Sequence, residues 1–111
     1  MILGAGEKVH IIHRQSFDGD TRRHFVGTVE ACDGNLAKVN GYLFAMDKKS
    51  NLFVKHDVEL RTRIIALTSD MLIINVLPPQ VDIEKINYKH ISMDHIVVSD
   101  GSDWQLDLSH L

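Results

Sequence analysis

The sequence contains one polar segment whose residue types suit ligand binding, Asp47-Lys48-Lys49-Ser50-Asn51. It places a carboxylate and an amide four positions apart, with two lysines between them. Such side chains can bond to the backbone amides of a turn or to the polar edge of a ligand. The first use only caps a turn, so a structural and a functional interpretation both stay open.

Two further basic groups could contact phosphates or carboxylates. Arg61 and Arg63 alternate in a segment with strand-like periodicity. Arg14 and the run Arg22-Arg23-His24 bracket a polar loop. Guanidinium groups suit both kinds of anion because they donate in a planar fork. A solvated loop would have the same composition, so this second group is the weaker candidate.

The seven histidines do not form a recognisable metal motif. His10 and His13 are three positions apart, and this spacing points them to opposite faces of a strand. His90 and His95 flank a predicted turn and could meet there with Asp94. Since no His, Cys or Asp grouping has a known ligand spacing, we expect no metal.

Nothing in the sequence indicates nucleophilic catalysis or a nucleotide cofactor. Cys32 is the single cysteine, beside Asp33-Gly34 at the end of a predicted strand, where a small core residue is expected. The sequence lacks a Gly-x-Ser-x-Gly elbow, a P-loop and a dinucleotide fingerprint. We therefore expect neither an enzyme nor a cofactor, although distant residues could still converge in a pocket.

Length and composition are typical of one globular domain. The chain has 111 residues, of which 44% are hydrophobic and 24% charged. A lone cysteine cannot form an intramolecular disulfide, and no stretch approaches the roughly 20 apolar residues that span a bilayer. Residues 1–6 have neither a basic region nor a long apolar region. These features predict a cytoplasmic protein that does not enter a membrane.

The net charge of −3 is unevenly distributed. Residues 1–63 contain ten Lys and Arg against eight Asp and Glu, whereas residues 64–111 contain two against seven. A mildly basic first part is thus joined to an acidic last part. Solvated surface explains this difference as well as a binding face does.

Apolar residues alternate or occur in short β-branched runs, so the sequence predicts strands rather than helices. The run at residues 71–77 is too continuously apolar for a half-exposed edge, which predicts a central or interface strand. Residues 81–86 fit either a helical turn or a short strand. The predicted strands are residues 7–14, 24–32, 36–46, 52–55, 58–67, 71–77, 88–91, 96–99 and 104–108.

Two glycines set the expected path of the chain. Asp33-Gly34 predicts a tight hairpin, because a type I′ turn needs positive φ at both central residues. Asn40-Gly41 could form a second turn, but the strands on either side would then be only about four residues long. We predict instead one strand over residues 36–46 that bends at Gly41, as small barrels do at their corners.

The segment from Gly41 to Glu59 resembles the first signature of the Sm/LSm family. Residues 64–76 resemble the second signature, two apolar strands around a short turn, and the resemblance as a whole covers residues 22–78. The residues at matching spacings in the first signature are Gly41, Leu43, Asp47, Asn51, Leu52, Val54, Asp57 and Glu59.

This resemblance implies an all-β fold, a small bent five-stranded barrel. Within a single domain of residues 1–111, residues 22–78 would form the barrel. The strand at residues 7–14 would be an extra N-terminal strand, and residues 79–111 an acidic C-terminal hairpin extension.

The resemblance also implies a function. Copies of the chain would join edge to edge into a ring-like homo-oligomer that binds single-stranded RNA. Asp47 and Asn51 would bond base edges, while Lys48, Lys49, Arg61 and Arg63 would contact phosphates. The alternative is a protein-interaction or scaffolding module that binds no nucleic acid.

Several residues depart from the family pattern. Thr68 and Ser69 stand where the family has a basic residue and a glycine that help to clamp a nucleotide. Lys49 stands where a stacking residue is expected, and it offers charge without an aromatic surface. Residues 7–14 are predicted to be extended, whereas the family opens with a short helix. The resemblance is therefore stronger for the fold than for the RNA site.

Overall fold

The computed structural model describes residues 3–14, 22–56, 59–92 and 95–108, and in them the chain is almost entirely β-structure. The all-β prediction is confirmed. The predicted loop at residues 16–20 and most of the predicted turn at residues 92–94 lie outside the described residues. The strands are β1 (Lys8–His13), β2 (Arg23–Asp33), β3 (Leu36–Met46), β4 (Phe53–Lys55), β5 (Arg61–Ala66), β6 (Leu72–Leu77), β7 (Asn87–Ser92), β8 (His95–Ser99) and β9 (Gln105–Asp107).

Strands β1 to β6 form one antiparallel sheet, which we call the first sheet. Its order is β4-β3-β2-β1-β6, and β5 pairs with β3 beside β4. The N-terminal half of β3 pairs with β5 and its C-terminal end pairs with β4. Strand β1 is bonded to β2 on one side and to β6 on the other over all six of its residues. It is therefore an internal strand of the sheet, not the peripheral addition that the sequence predicts.

Strand β3 runs unbroken from Leu36 to Met46, as predicted, and pairs with β2 through the Asp33-Gly34 hairpin. Gly34 has a φ of 59°, which a side chain would make unfavourable. The ladder between β2 and β3 is irregular between Val29 and Ala31, so Glu30 forms a bulge. A bulge increases the local twist and bends a strand.

Gly27 and Gly41 lie directly opposite each other on β2 and β3, at the centre of this long ribbon. A Cβ atom built on Gly41 would lie 2.1 Å from the carbonyl oxygen of Val26, and one built on Gly27 would lie 2.3 Å from that of Asn40. Both neighbours are backbone atoms, which cannot rotate away as a flexible side chain can. The two strands can approach this closely only because both positions lack a side chain.

One face of the first sheet is buried by side chains of the same sheet. Its inner core contains Val9 and Ile11 of β1, Phe25 and Val29 of β2 and Val39 of β3, all at most 5% exposed. Side chains from both ends of the sheet, Ile65 of β5 and Ile74 of β6, pack against the same cluster, which has no member from β7 to β9. Apart from Leu3, which precedes β1, the buried members of this cluster belong to strands of the sheet itself, so the sheet must be curled.

The predicted five-stranded barrel corresponds only in part to this arrangement. Six strands belong to the curled sheet, and in the described residues its ladders include none between β5 and β6. Strand β6 pairs with β1 alone, so the predicted central position of residues 71–77 is wrong. The interface alternative for this apolar run stays a prediction.

A second sheet, β7-β8-β9, covers the outer face of the first. The strands predicted at residues 88–91, 96–99 and 104–108 correspond to β7, β8 and β9 of this sheet. Residues 81–86 contain a 3-10 turn, Ile83–Lys85, whose first turn is capped by Asp82 accepting a bond from the Glu84 amide. The outer core between the sheets contains Val26, Tyr42, Phe44, Phe53, Leu77, Val81, Ile83, Ile86, Tyr88 and Val98.

No helix among the described residues has the length and apolar character needed to cross a membrane.

The paired glycines generate a stability prediction. Gly41→Ala should lower the free energy of unfolding by about 2–4 kcal/mol in urea denaturation, because the backbone of β2 must move to accept the methyl group. Gly4→Ala is the matched control, since a Cβ there meets nothing within 4 Å. Equal stability of the two variants would show that the close approach is not required.

Candidate functional site

The segment at residues 47–51 forms the loop of a hairpin between β3 and β4. Asp47 Oδ1 accepts a bond from the Lys49 amide at 3.1 Å, and Asp47 Oδ2 accepts one from Ser50 Oγ at 3.1 Å. The Asp47 amide donates to the Leu52 carbonyl at 2.9 Å and closes the loop. The Asp47 carboxylate is therefore engaged as a turn cap, which leaves less of it to bond a base edge.

Asn51 occupies the left-handed region of backbone space, with a φ of 57°. Asparagine tolerates this conformation better than most residues with a side chain. Asn51 is exposed and lines a cleft of about 370 Å³ between the loop and the second sheet. Asn51 thus combines a backbone role with a position on a concave surface.

The cleft combines residues from both sheets. On the second sheet, His90 Nε2 accepts a bond from the Phe53 amide at 3.1 Å. This bond requires an unprotonated Nε2, so the neutral imidazole presents its N–H at Nδ1. The lining is Arg22, Met46, Ser50, Asn51, Leu52, His90, Ser92 and Ile96. One guanidinium, several neutral polar groups and three apolar side chains are suited to a small planar ligand with an anionic group.

Arg61 and Arg63 lie on β5, away from this loop. Arg61 is opposite Gly41 and Arg63 opposite Val39 in the ladder with β3. Asp47 comes six residues after Gly41, a separation of about 20 Å along an extended strand. The structure therefore brings Asp47, Lys48, Lys49 and Asn51 together in one loop and leaves Arg61 and Arg63 at a second location.

A third arginine lies between these two locations. Arg23 of β2 pairs with Ala45, two residues before Asp47. Burial, together with the charges of Arg61 and Arg23, lowers the pKa of Arg63. The Arg63 guanidinium lies 5.4 Å from the centre of the Phe25 ring, so it faces the inner side of the sheet. We call Arg23, Arg61 and Arg63 the arginine strip.

The structure places the residues of the second basic group at different locations. This group consists of Arg14, Arg22, Arg23 and His24. Arg22 lines the cleft and Arg23 joins the arginine strip. His24 is buried beneath the second sheet, so the solvated-loop interpretation is wrong for this residue. Arg14 donates its backbone amide to the Met71 carbonyl at 2.7 Å, which ties the end of β1 to the β5–β6 connection.

The sequence predicts that His90, His95 and Asp94 meet at a turn. Asp94 lies outside the described residues. His95 Nε2 lies 2.9 Å from Asp107 Oδ2 on β9, and His90 bonds the Phe53 amide. Within the described ranges no three His, Cys, Asp or Glu side chains form a group that could hold a metal ion. Cys32 is half-buried against the inner core, as its small-core interpretation predicts.

The sequence gives little sign of a buried polar cluster formed by His10, His24 and Tyr88. His10 Nε2 and His24 Nδ1 lie 3.0 Å and 2.7 Å from Tyr88 Oη, and 3.2 Å from each other. Burial lowers the pKa of His10 to about 4. Burial, followed by the charges of His10 and Arg22, lowers that of His24 to about 3. The only sequence signal is the position of His10 between two apolar residues.

Comparison with models of protein families, with curated proteins and with solved structures finds no match to this chain.

The backbone role of Asn51 can be separated from its side-chain role. Asn51→Gly should leave the free energy of unfolding within about 0.5 kcal/mol, because glycine adopts positive φ readily. Asn51→Ala should cost about 1 kcal/mol in urea denaturation, since alanine keeps the Cβ but lacks the polar side chain by which asparagine tolerates this conformation. An alanine variant as stable as the glycine variant would contradict the backbone role.

Proposed function

We propose that this protein is an Sm-like, cytoplasmic, homo-oligomeric module that binds single-stranded RNA along the arginine strip. The observation that carries the proposal is the grouping of three arginines on the inner face of the curled sheet. On β2, Arg23 is two residues from Phe25 and is therefore on the same face of the sheet. Arg63 lies opposite Val39 in the ladder between β5 and β3. Both arginines are thus on the face that forms the inner core. Two strands that are far apart in sequence, β2 and β5, thus place their arginines at one location.

Electrostatics favours an anion at this strip. Partial burial, and after it the charges of Arg61 and Arg23, lower the pKa of Arg63, so part of this change comes from repulsion between like charges. A phosphate beside these guanidinium groups would relieve the repulsion and accept bidentate bonds. Binding would then weaken as salt concentration rises, because released counterions contribute to its free energy.

The hairpin loop and the cleft suit the base of a nucleotide. Arg23 pairs with Ala45 near the start of the loop, so an RNA strand that leaves the arginine strip on the inner face would pass around the sheet edge at β4 to reach Asn51 in the cleft on the outer side. The Asn51 amide and the His90 Nδ1–H offer bonds to a base edge, as single-stranded RNA recognition requires. Met46, Leu52 and Ile96 provide apolar contact in place of an aromatic surface.

Oligomerisation is supported by the two open edges of the first sheet. Every pairing in this sheet is antiparallel, so β5 and β6 run in the same direction although they are consecutive in the chain. They cannot pair as a hairpin. Ile64 of β5 is 67% exposed and Val76 of β6 is 57% exposed. Open edges with apolar side chains favour pairing between copies.

One observation favours a protein-interaction module as a second candidate function. The large hydrophobic residues most exposed in the described part of the chain are all aliphatic, whereas single-stranded nucleic acids bind best to stacked aromatic side chains. Aliphatic patches suit protein partners. A specific protein that copurifies with this chain without nucleic acid would favour this candidate over the first.

The RNA proposal predicts a defined loss of salt sensitivity. Arg63→Gln should weaken binding of labelled ten-nucleotide oligo(U) and oligo(A) by about 5- to 20-fold at 100 mM salt. The slope of log K against log salt should fall by about 0.7, the value for one phosphate contact on a single strand. Fluorescence anisotropy measures both quantities.

Lys85→Gln is the matched control, because Lys85 is an exposed cation of the 3-10 turn and lies outside the strip. This variant should change neither the affinity for the oligonucleotides nor the slope of log K against log salt. Absence of binding by the unmodified protein at 20 mM salt would contradict the proposed function.

The oligomer proposal predicts that a charge on the open edge dissociates the assembly. Ile64→Glu should convert the oligomer to a monomer at 10 µM in light scattering, because a carboxylate would be buried between copies. Ile91→Glu is the control, since Ile91 is 63% exposed on β7 of the second sheet. A monomeric unmodified protein would contradict this assembly.

A further inference from the structure

The buried cluster of His10, His24 and Tyr88 connects the two sheets. His10 lies on β1 and His24 on β2 of the first sheet, whereas Tyr88 lies on β7 of the second. His10 is fully buried, and His24 and Tyr88 are 6% exposed. A polar cluster this deep is favourable only when its members bond to one another.

The hydrogen bonds of the cluster define one consistent chain of donors. Asn75 Nδ2 of β6 can only donate, so at 3.3 Å it makes His10 Nδ1 the acceptor and leaves the proton on Nε2. His10 Nε2–H then donates to Tyr88 Oη, and the Tyr88 hydroxyl donates to His24 Nδ1. Every group in this chain is neutral.

Protonation of either imidazole breaks this pattern. A proton on His24 Nδ1 removes the acceptor of the Tyr88 hydroxyl, and a proton on His10 Nδ1 faces the amino group of Asn75. Among the described residues no acidic group compensates the added charge, because those around the imidazoles are Tyr88, Asn75, the Phe53 ring and the guanidinium of Arg22. None of these groups is negatively charged at neutral or acidic pH.

We propose that the His10–His24–Tyr88 cluster is an acid-sensitive joint, and that protonation of its imidazoles releases the second sheet from the first. Release would separate His90, Ser92 and Ile96 from Arg22 and Asn51, so the cleft between the sheets would be lost at the same time. The joint is inferred from the packing of the two sheets and does not rest on the proposed function. RNA binding at neutral pH can fail while this inference stands.

One other contact of the second sheet persists in mild acid. Hydrogen bonds from Ser102 and from the Asp82 amide lower the pKa of Asp100 to about 2, so its carboxylate keeps its bond to the Asp82 amide. Loss of the joint near pH 4.5 therefore cannot be assigned to this contact.

The direction of the pH effect follows from the lowered pKa values. Each histidine has a lower pKa when the sheets are packed than the ordinary 6.5 expected after release. Packing is therefore fully stabilised above about pH 6.5 and weakens as pH falls toward 4. Between pH 7.5 and 4.5 the equilibrium constant for release should rise on the order of 100-fold for each histidine.

Hydrogen exchange of the unmodified protein tests the joint directly. We expect the amides of β7 and β8 to lose protection at least 100-fold between pH 7.5 and 4.5, after correction for intrinsic exchange. The amides of the β2–β3 ladder should lose less than 10-fold. Equal loss in both sheets would show global acid unfolding and would overturn the proposal, as would full protection of β7 at pH 4.5.

A variant pair assigns the effect to the two histidines. His10→Gln with His24→Asn keeps neutral polar groups near Nε2 and Nδ1 but cannot be protonated, so β7 should remain protected at pH 4.5. His13→Gln, an exposed histidine of the same strand, is the matched control and should behave as the unmodified protein. Release of β7 by acid in the double variant would overturn the proposal.

If the double variant does not fold, NMR titration of the histidine ring protons of the unmodified protein shows whether protonation of the two histidines accompanies release of the second sheet. The rings of His10 and His24 should become protonated only together with the loss of protection in β7. Titration of both rings near pH 6.5 while β7 stays protected would overturn the joint.

Discussion

The close approach of β2 and β3 at Gly27 and Gly41 is the constraint on which the rest of this structure depends. A carbonyl oxygen of each strand occupies the space that a Cβ atom of the other would need. With the bulge at Glu30, this approach curls the ribbon so that one face of the sheet becomes its own core. A flat sheet would leave Val39 and Phe25 exposed, because the second sheet in the described part of the chain covers the opposite face.

The same curl determines where the arginines of the arginine strip lie. It brings Arg63 of β5 close enough to Arg23 of β2 for their charges to interact, although β3 lies between these strands. The antiparallel strand order, in turn, makes β5 and β6 run in the same direction, so these two strands cannot bond as a hairpin. The outer face, covered by β7 to β9, contains the histidine cluster instead.

Alternation of apolar residues predicted the strands well, because a half-buried strand shows its period in its own sequence. Residues 36–46 and the Asp33-Gly34 turn are examples. Alternation does not report which strand lies beside which, so the internal position of β1 was missed. For the same reason two groupings could not be predicted: Arg23 lies near Arg63 through pairings distant in sequence, and His10 meets His24 and Tyr88 across three strands.

Native mass spectrometry of the purified protein, with its absorbance at 260 and 280 nm, tests the central claim that the curled sheet assembles with copies of itself and binds RNA. The account predicts a mass that is an integer multiple of 12.6 kDa plus bound nucleotides that nuclease and high salt remove together. A single species at 12.6 kDa with the absorbance ratio of protein alone would contradict it.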